Sequence, residues 1–579
     1  MDIQLIEAKQ LTVRYPFQQR AAIKEIDLRI GQGERVLILG PSGGGKSTLA
    51  LAITGIIPRS VEAELSGEMT VDGISSQEMR PGMMSRKVGI LFQDTETQFC
   101  MTTVEDEIAF GLENIGLTAA EMDIRIGQSL KLTGLDGRRY AGQQELSGGL
   151  KQKLGLACLL AMDQDTLILD EPTANLDPET TDEMFALLSQ LAEQSGKTLI
   201  FIEHKLDDLI DYIDRVIVLG DEGSVIADGS PRQIFYRQID MLQQQGIWVP
   251  RLCIAAKQLE SFGIVWETLP LTLAEWDAGL LKQGLTIPKL QQDGQQSASD
   301  EERCSEPAIT SQAEPEPPLL ELQNVSYAYG SRDVLHNLSC TIPHGDFVAL
   351  LGPNGTGKST LVQLLVKLLT PKQGRILLHG TSLDKLSSRQ LMQKVGLVFQ
   401  NPEHQFIRDT VIEELSYGLQ LSGHSKESIQ SRLDDLLQRF RLTEQRNHNP
   451  FSLSQGQKRR LSVATMLTSE QELLILDEPT FGQDYVNTVA LMDLLRDLNQ
   501  EGTTVLMITH DMELVKQYAS RVLLLNEGHL IYDGKPTALF SNDHLMRQAA
   551  IKRPLTDVLE QRTRAFMEAK QCAGSMAEA

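Results

Sequence analysis

The chain carries one ordered set of motifs twice, and a duplicated unit folds as two copies of one domain. Gly40-Pro41-Ser42-Gly43-Gly44-Gly45-Lys46-Ser47-Thr48 returns 312 residues later as Gly352-Pro353-Asn354-Gly355-Thr356-Gly357-Lys358-Ser359-Thr360. The run LILDEPT occurs at 167–173 and again at 474–480, and LSGG at 146–149 has its counterpart in LSQG at 453–456. Asp170 and Asp477 lie 307 residues apart, as do Gln93 and Gln400, while His204 and His510 are separated by 306. Five features in one order and near-constant register make coincidence implausible and imply duplication of a whole domain.

With 579 residues, of which 41% are hydrophobic, there is material for several cores. The repeats divide the chain into a first domain at 1–245, an extension at 246–290, a tether at 291–318, a second domain at 319–545 and a tail at 546–579. The tether, rich in Gln, Ser, Glu and Pro, holds too little apolar surface to offset chain entropy. The extension has helical apolar spacing through Trp248, Leu252, Trp266 and Trp276. Short apolar runs at 35–39 and 347–351 end at a glycine, as buried parallel strands do, and each glycine-rich turn then opens a helix near Lys46 or Lys358. Further strands are expected at 166–169, 199–202, 473–476 and 505–508, so each copy is an α/β unit.

The pattern G-x-x-x-x-G-K-[ST] at Gly40–Thr48 and Gly352–Thr360 lets backbone N–H groups wrap phosphate oxygens at a helix N-terminus. Lys46 and Lys358 would reach the β- and γ-phosphates of ATP, and Ser47 and Ser359 would ligate Mg²⁺. Asp170 and Asp477, at strand ends, would hold Mg²⁺ through water, and Glu171 and Glu478 would polarise the attacking water. His204 and His510 each follow an apolar β-rich run at a position suited to the γ-phosphate. A glycine turn, an acid pair or a histidine alone is usually unremarkable; the duplicated set in strand–turn–helix context is not.

This order of P-loop, glutamine, LSGG-type segment, Asp-Glu and histidine resembles the ABC ATPase family over nearly both halves. The resemblance implies two tandem P-loop NTPase (ABC nucleotide-binding) domains, each with a RecA-like α/β core, an antiparallel β subdomain and a helical subdomain. It implies head-to-tail pairing within the chain, with Ser454, Gln455 and Gly456 facing the first P-loop and Ser147, Gly148 and Gly149 the second. A serine hydroxyl and N–H groups at a helix start suit an anion. By the same resemblance Gln93 and Gln400 sense Mg²⁺ and couple to membrane subunits, Tyr15 and Tyr329 stack on adenine, and Asp177 and Asp484 belong to D-loops. Four departures stand out: Leu150 replaces the usual signature glutamine, Gln455 a glycine, Gln483 a D-loop leucine, and Asn175 a D-loop glycine. Lys46, Asp170, Glu171, His204, Lys358, Asp477, Glu478 and His510 are all retained, so both sites are expected to hydrolyse ATP, with room for unequal rates.

Gln400-Asn401-Pro402-Glu403-His404-Gln405-Phe406 followed by Thr410-Val411, with a looser copy at 93–99, resembles the ATPases of energy-coupling-factor importers. That resemblance implies an integral membrane scaffold subunit and a small substrate-binding membrane subunit as partners, at the cytoplasmic face of a bacterial membrane. The cargo would be a vitamin, a vitamin precursor or a metal ion, with thiamine or hydroxymethylpyrimidine the first choice. The longest apolar run, 154–162, is too short to span a bilayer, and Met1 leads into Asp2-Ile3-Gln4, not a basic and then apolar leader. Net charge of −24 disfavours nucleic acid as a partner. The competing reading, a tandem ABC protein of the ribosome or translation, would carry a basic helical linker or a cysteine cluster. Here the tether is acidic and six cysteines are scattered without CxxC spacing.

Overall fold

The computed structural model describes residues 4–16, 18–173, 176–261, 263–282, 317–421, 426–468 and 471–564. Most of the tether at 291–318, part of the tail and Asn175 lie outside the described residues.

Each half is built round a six-stranded sheet. In the first, the order runs Val225–Gly229, Arg215–Leu219, Arg35–Leu39, Thr198–Ile202, Thr166–Asp170, Val88–Leu91. In the second it runs His529–Gly534, Arg521–Asn526, Phe347–Leu351, Thr504–Ile508, Leu473–Asp477, Val395–Val398. Five strands of each sheet are parallel and one edge strand is antiparallel. Central strands such as TLIFI and FVALL are buried throughout, the expected state of parallel strands covered on both faces. The expected strands are all present, extended by a residue at one end in four cases.

A four-stranded antiparallel sheet packs on each core: Ile23–Gly31, Gln4–Arg14, Glu64–Val71 and Ile74–Ser75 in the first half, Arg332–Ile342, Leu320–Tyr329, Gln373–Leu378 and Thr381–Ser382 in the second. Helices Val104–Asn114, Ala119–Thr133 and Gly148–Met162 share one apolar cluster, and Val411–Leu421, Lys426–Arg439 and Gln455–Met466 repeat them. The two α/β halves and their subdomains therefore match the resemblance.

The extension and the tail do more than prolong their halves. Helices Arg251–Ser261 and Leu273–Lys282 and the segment between them join the first core through buried Leu252, Cys253, Trp266 and Trp276, and Leu559 from the tail is buried in the same cluster. Arg562 pairs with Asp277, and Lys552 Nζ reaches Asp182 at 2.7 Å and Asp208 at 3.0 Å. Trp248 stacks edge-on against Tyr485, with ring centroids 5.0 Å apart, and its indole N–H donates to the Gln483 carbonyl. The halves are thus clasped where extension and tail meet.

Candidate functional site

Both P-loops sit where the backbone arithmetic requires them, between a buried parallel strand and a helix starting at the lysine. Gly45 and Gly357 occupy the helix N-caps at φ 89° and 99°, and a Cβ on Gly45 would come within 2.3 Å of the Ala22 carbonyl. Lys46 Nζ donates to Gly40 O and Pro41 O, both at 2.9 Å, and Lys358 Nζ to Gly352 O at 2.7 Å and Pro353 O at 2.9 Å. Each ammonium is folded back into its own loop. Burial lowers the pKa of both lysines, opposed by Glu171, Asp170 and Asp484 for Lys46, and by Glu478, Asp477 and Asp177 for Lys358. Asp484 and Asp177 thus act from the opposite half of the chain.

Ser47 Oγ donates to Asp170 Oδ2 at 2.8 Å, joining the two sequence-predicted metal groups of the first site. Ser359 is exposed and Asp477 half-buried. Glu171 and Glu478 adopt left-handed backbone at φ 49° and 45°, a strained setting for non-glycine residues, and their N–H groups donate to Ile202 O and Ile508 O. The same conformation recurs at both positions, as it does at the paired turn residues Asp72 and His379. Gln93 Nε2 donates to Glu171 Oε2 at 3.0 Å, and His204 Nε2 lies 3.5 Å from Glu171 Oε1. His510 Nε2 stands 3.6 Å from Glu478 Oε1, an oxygen that is shut off from solvent without a hydrogen bond.

Burial, then Glu203, then Asp170 push the Glu171 carboxyl up to about 8. Burial raises Glu478 to about 7, with Lys205 pulling the other way. Asp170 and Asp477 are raised by burial, and both histidines are held neutral by it, His510 near 3. Two residues beside His204 that the motifs do not include act here: Glu203, where the second half has Thr509, on Glu171, and Lys205, where it has Asp511, on Glu478 across the halves. Glu203 is 3% exposed, accepts from Thr173 Oγ1 at 2.9 Å, and has its pKa lifted by burial to about 7. Arg459 likewise belongs to none of the motifs. It is buried, donates to Phe399 O and Gln400 O, and so braces the second glutamine loop; its counterpart in the first half is Gln152. Aligning the two copies residue by residue exposes both differences.

The first P-loop is completed by the second half. Asp484 Oδ2 accepts from Ser42 N at 2.9 Å. Gly482, at φ 65°, approaches so closely that a Cβ there would lie 2.3 Å from Gln93 Nε2. Gln455 and Gly482 line a cavity of about 820 Å³ together with Tyr15, Lys46, Thr48, Gln93, Glu171 and His204. Tyr15 shares a hydrogen bond with Thr48 Oγ1 at 3.1 Å. Ser454 and Gln455 are exposed at the start of the Gln455–Met466 helix, and Gly456 is pressed against Asn487. At the second P-loop, Asp177 and Pro178 of the first half line a narrow cleft with Gly352, Pro353 and His510. Ser147 and Gly148 are exposed and Gly149 half-buried at the start of Gly148–Met162; none of the three lines that cleft. Asn354 and Gly355 are exposed, Thr356 and Thr360 are buried, and Tyr329, 47% exposed, donates to Gln363 Oε1. Gly43 is exposed and Gly44 buried.

The family model described as ABC transporter matches residues 23–174 and again 335–481. A Bacillus subtilis (strain 168) protein, YkoD, provisionally named an HMP/thiamine import ATP-binding protein, is 39% identical over 95% of both chains. An ABC transporter ATP-binding protein of Methanosarcina acetivorans, also provisionally named, is 37% identical over 95% of this chain and 89% of its own. Among solved structures, cbiO1 from Clostridium perfringens, described as part of the ABC transporter complex cbiONQ, is 33% identical, covering 40% of this chain and 94% of its own at a TM-score of 0.38.

Proposed function

Because the chain belongs to the ABC transporter family as an ATP-binding subunit that hydrolyses ATP, we propose that it powers an energy-coupling-factor type importer of thiamine or its hydroxymethylpyrimidine precursor. The observation that best supports a paired motor is the first P-loop closed by Asp484, Gly482 and Gln455 of the other half. The cargo reading rests on likeness to the Bacillus protein, which spans both halves.

In this reading the P-loop N–H groups and Lys46 or Lys358 bind the ATP phosphates, the ammonium leaving its loop carbonyls for the stronger anion. The Ser47 hydroxyl and the Asp170 carboxylate form an all-oxygen donor pair that suits Mg²⁺, as do Ser359 and Asp477, with Gln93 and Gln400 alongside. Mg²⁺ would neutralise charge on the β- and γ-phosphates. Glu171 and Glu478 accept a proton from the attacking water, and burial makes each ionised carboxylate a stronger base than in water. Gln93 and His204 fix the orientation of Glu171. Binding of ATP tightens the contact between halves, and loss of the γ-phosphate relaxes it. Ser147, Gly148 and Gly149 would reach the second nucleotide, and Ser454, Gln455 and Gly456 the first, in that closed form. Tyr15 and Tyr329 would cover the adenines.

None of the described helices is long and apolar enough to cross a membrane, so work at a bilayer requires membrane partners. The partners proposed are a scaffold subunit and a small substrate-binding subunit, met at the cytoplasmic face. Affinity purification from detergent-solubilised membranes, followed by mass spectrometry, tests this. Recovery of one or two small, highly hydrophobic proteins is expected. Recovery of ribosomal subunits, or no membrane partner, would overturn the importer reading.

A further inference from the structure

The second half holds a cluster of metal-ligating side chains at the end of its sheet opposite the nucleotide. His344 lies just before strand Phe347–Leu351 and Glu472 just before Leu473–Asp477, whereas the P-loop and Glu478 follow those same strands. Five residues of strand place the two ends about 16 Å apart. His379 comes from the turn between Gln373–Leu378 and Thr381–Ser382 of the antiparallel sheet.

One donor atom from each of His344, His379 and Glu472 lies within 4.8 Å of the others. The imidazole rings are 5.0 Å apart, and His379 Nε2 is 2.6 Å from Glu472 Oε2. That nitrogen is shut off from solvent and faces the Glu472 carboxylate. Lys394 Nζ occupies the other oxygen, Oε1, at 2.7 Å, which leaves Oε2 turned to the imidazoles. His344 is exposed and gives access from solvent.

The first half uses the same place differently. Backbone bonds identify the counterparts: Asp72 N to Leu5 O matches His379 N to Leu319 O, and Thr198 N to Asp165 O matches Thr504 N to Glu472 O. There Lys87 Nζ bridges Asp72 and Asp165, tying the antiparallel sheet to the core with an ammonium. In the second half one acid has become His379, and Gln32 is replaced by His344. Two imidazoles and a carboxylate suit a borderline divalent ion such as Zn²⁺, with water completing a tetrahedron, and not oxygen-seeking Mg²⁺. We propose that His344, His379 and Glu472 bind a divalent transition-metal ion of the Zn²⁺ class, which staples the antiparallel sheet to the core of the second half.

The test uses the full chain, stripped of metal and free of nucleotide, titrated with Zn²⁺ against a chromophoric chelator. Variants are His344→Gln, which installs the first-half residue, His379→Asn, which tolerates the left-handed backbone at φ 48°, and Glu472→Gln, which keeps the shape. The stacked pair His336 and His529, centroids 4.8 Å apart, serves as control when both are changed to Ala. Each of the three variants is expected to weaken one Zn²⁺ equivalent about tenfold or more, with the control like wild type. Thermal melts of the same samples should show Zn²⁺ stabilising wild type and not Glu472→Gln. Zn²⁺ affinity unchanged in the three variants, or lost equally in the control, overturns the proposal, and a folded Glu472→Gln protein makes either result decisive.

Discussion

At the level of single residues, Glu171 and Glu478, the two carboxyl groups proposed as bases, sit in different surroundings. Glu171 keeps its proton up to about 8 when folded, against a usual value of 4.5. A raised folded pKa contributes stability fully below about 4.5, and that contribution is lost as pH rises through 8. In the nucleotide-free protein, Glu171→Gln should therefore gain on wild type in thermal stability between pH 5 and 8.5, with a slope of at most about 1.4 kcal/mol per pH unit. A difference that stays flat with pH would contradict the buried proton. With ATP present, Glu171→Gln plus Glu478→Gln should lower turnover by about 10²-fold or more while nucleotide binding persists. Unchanged turnover would remove both from the role of base. Lys46→Ala should weaken binding of a fluorescent ATP analogue at one site and leave the other intact. These residues were legible in the sequence because phosphate and Mg²⁺ chemistry dictates residue types at short local spacing. Glu203 and Arg459 were not, since a lone buried charge has no local signature and shows only when the copies are compared.

Among elements, the two signature helices explain a sequence departure. Ser454 caps Gln455–Met466 with a full capping box, its hydroxyl accepting from Gln457 N and the Gln457 side chain accepting from Ser454 N. In the first half Leu150 stands where that glutamine would be, and Ser147 makes no side-chain cap. Ser454→Ala is thus expected to cost about 1 kcal/mol in urea unfolding of its half, and Ser147→Ala next to nothing. Equal costs would mean the box contributes no stability. The Gly482 loop leaves no room for a Cβ where it crosses to the other half, and Gly482→Ala should force it away from Gln93, lowering ATP turnover at the first site. Strands and P-loop helices could be read from apolar runs and glycine placement. The bond from Ser42 to Asp484 could not, because it joins residues 442 positions apart and depends on how whole domains meet. Only likeness to a family pointed toward that pairing.

For the molecule as a whole, the clasp formed by extension and tail matters most. Leu559 and Trp276 share one buried cluster, and Lys552 and Arg562 add ion pairs across the halves. Deleting residues 551–579 should weaken association of the two halves expressed as separate chains, measured by ultracentrifugation without ATP; unaltered association would show the clasp to be dispensable. The acidic balance was plain from composition, whereas the clasp was hidden, since its helices show an apolar face without naming what covers it. Its consequence is kinetic. A pair of ATPase domains that met by diffusion would work more slowly as it was diluted, each encounter being second order. Here the halves belong to one chain and the clasp holds them together, so reclosure is a first-order event governed by an effective local concentration. Specific activity should then be the same at nanomolar as at micromolar protein, and a scarce transporter would run its motor as well as an abundant one.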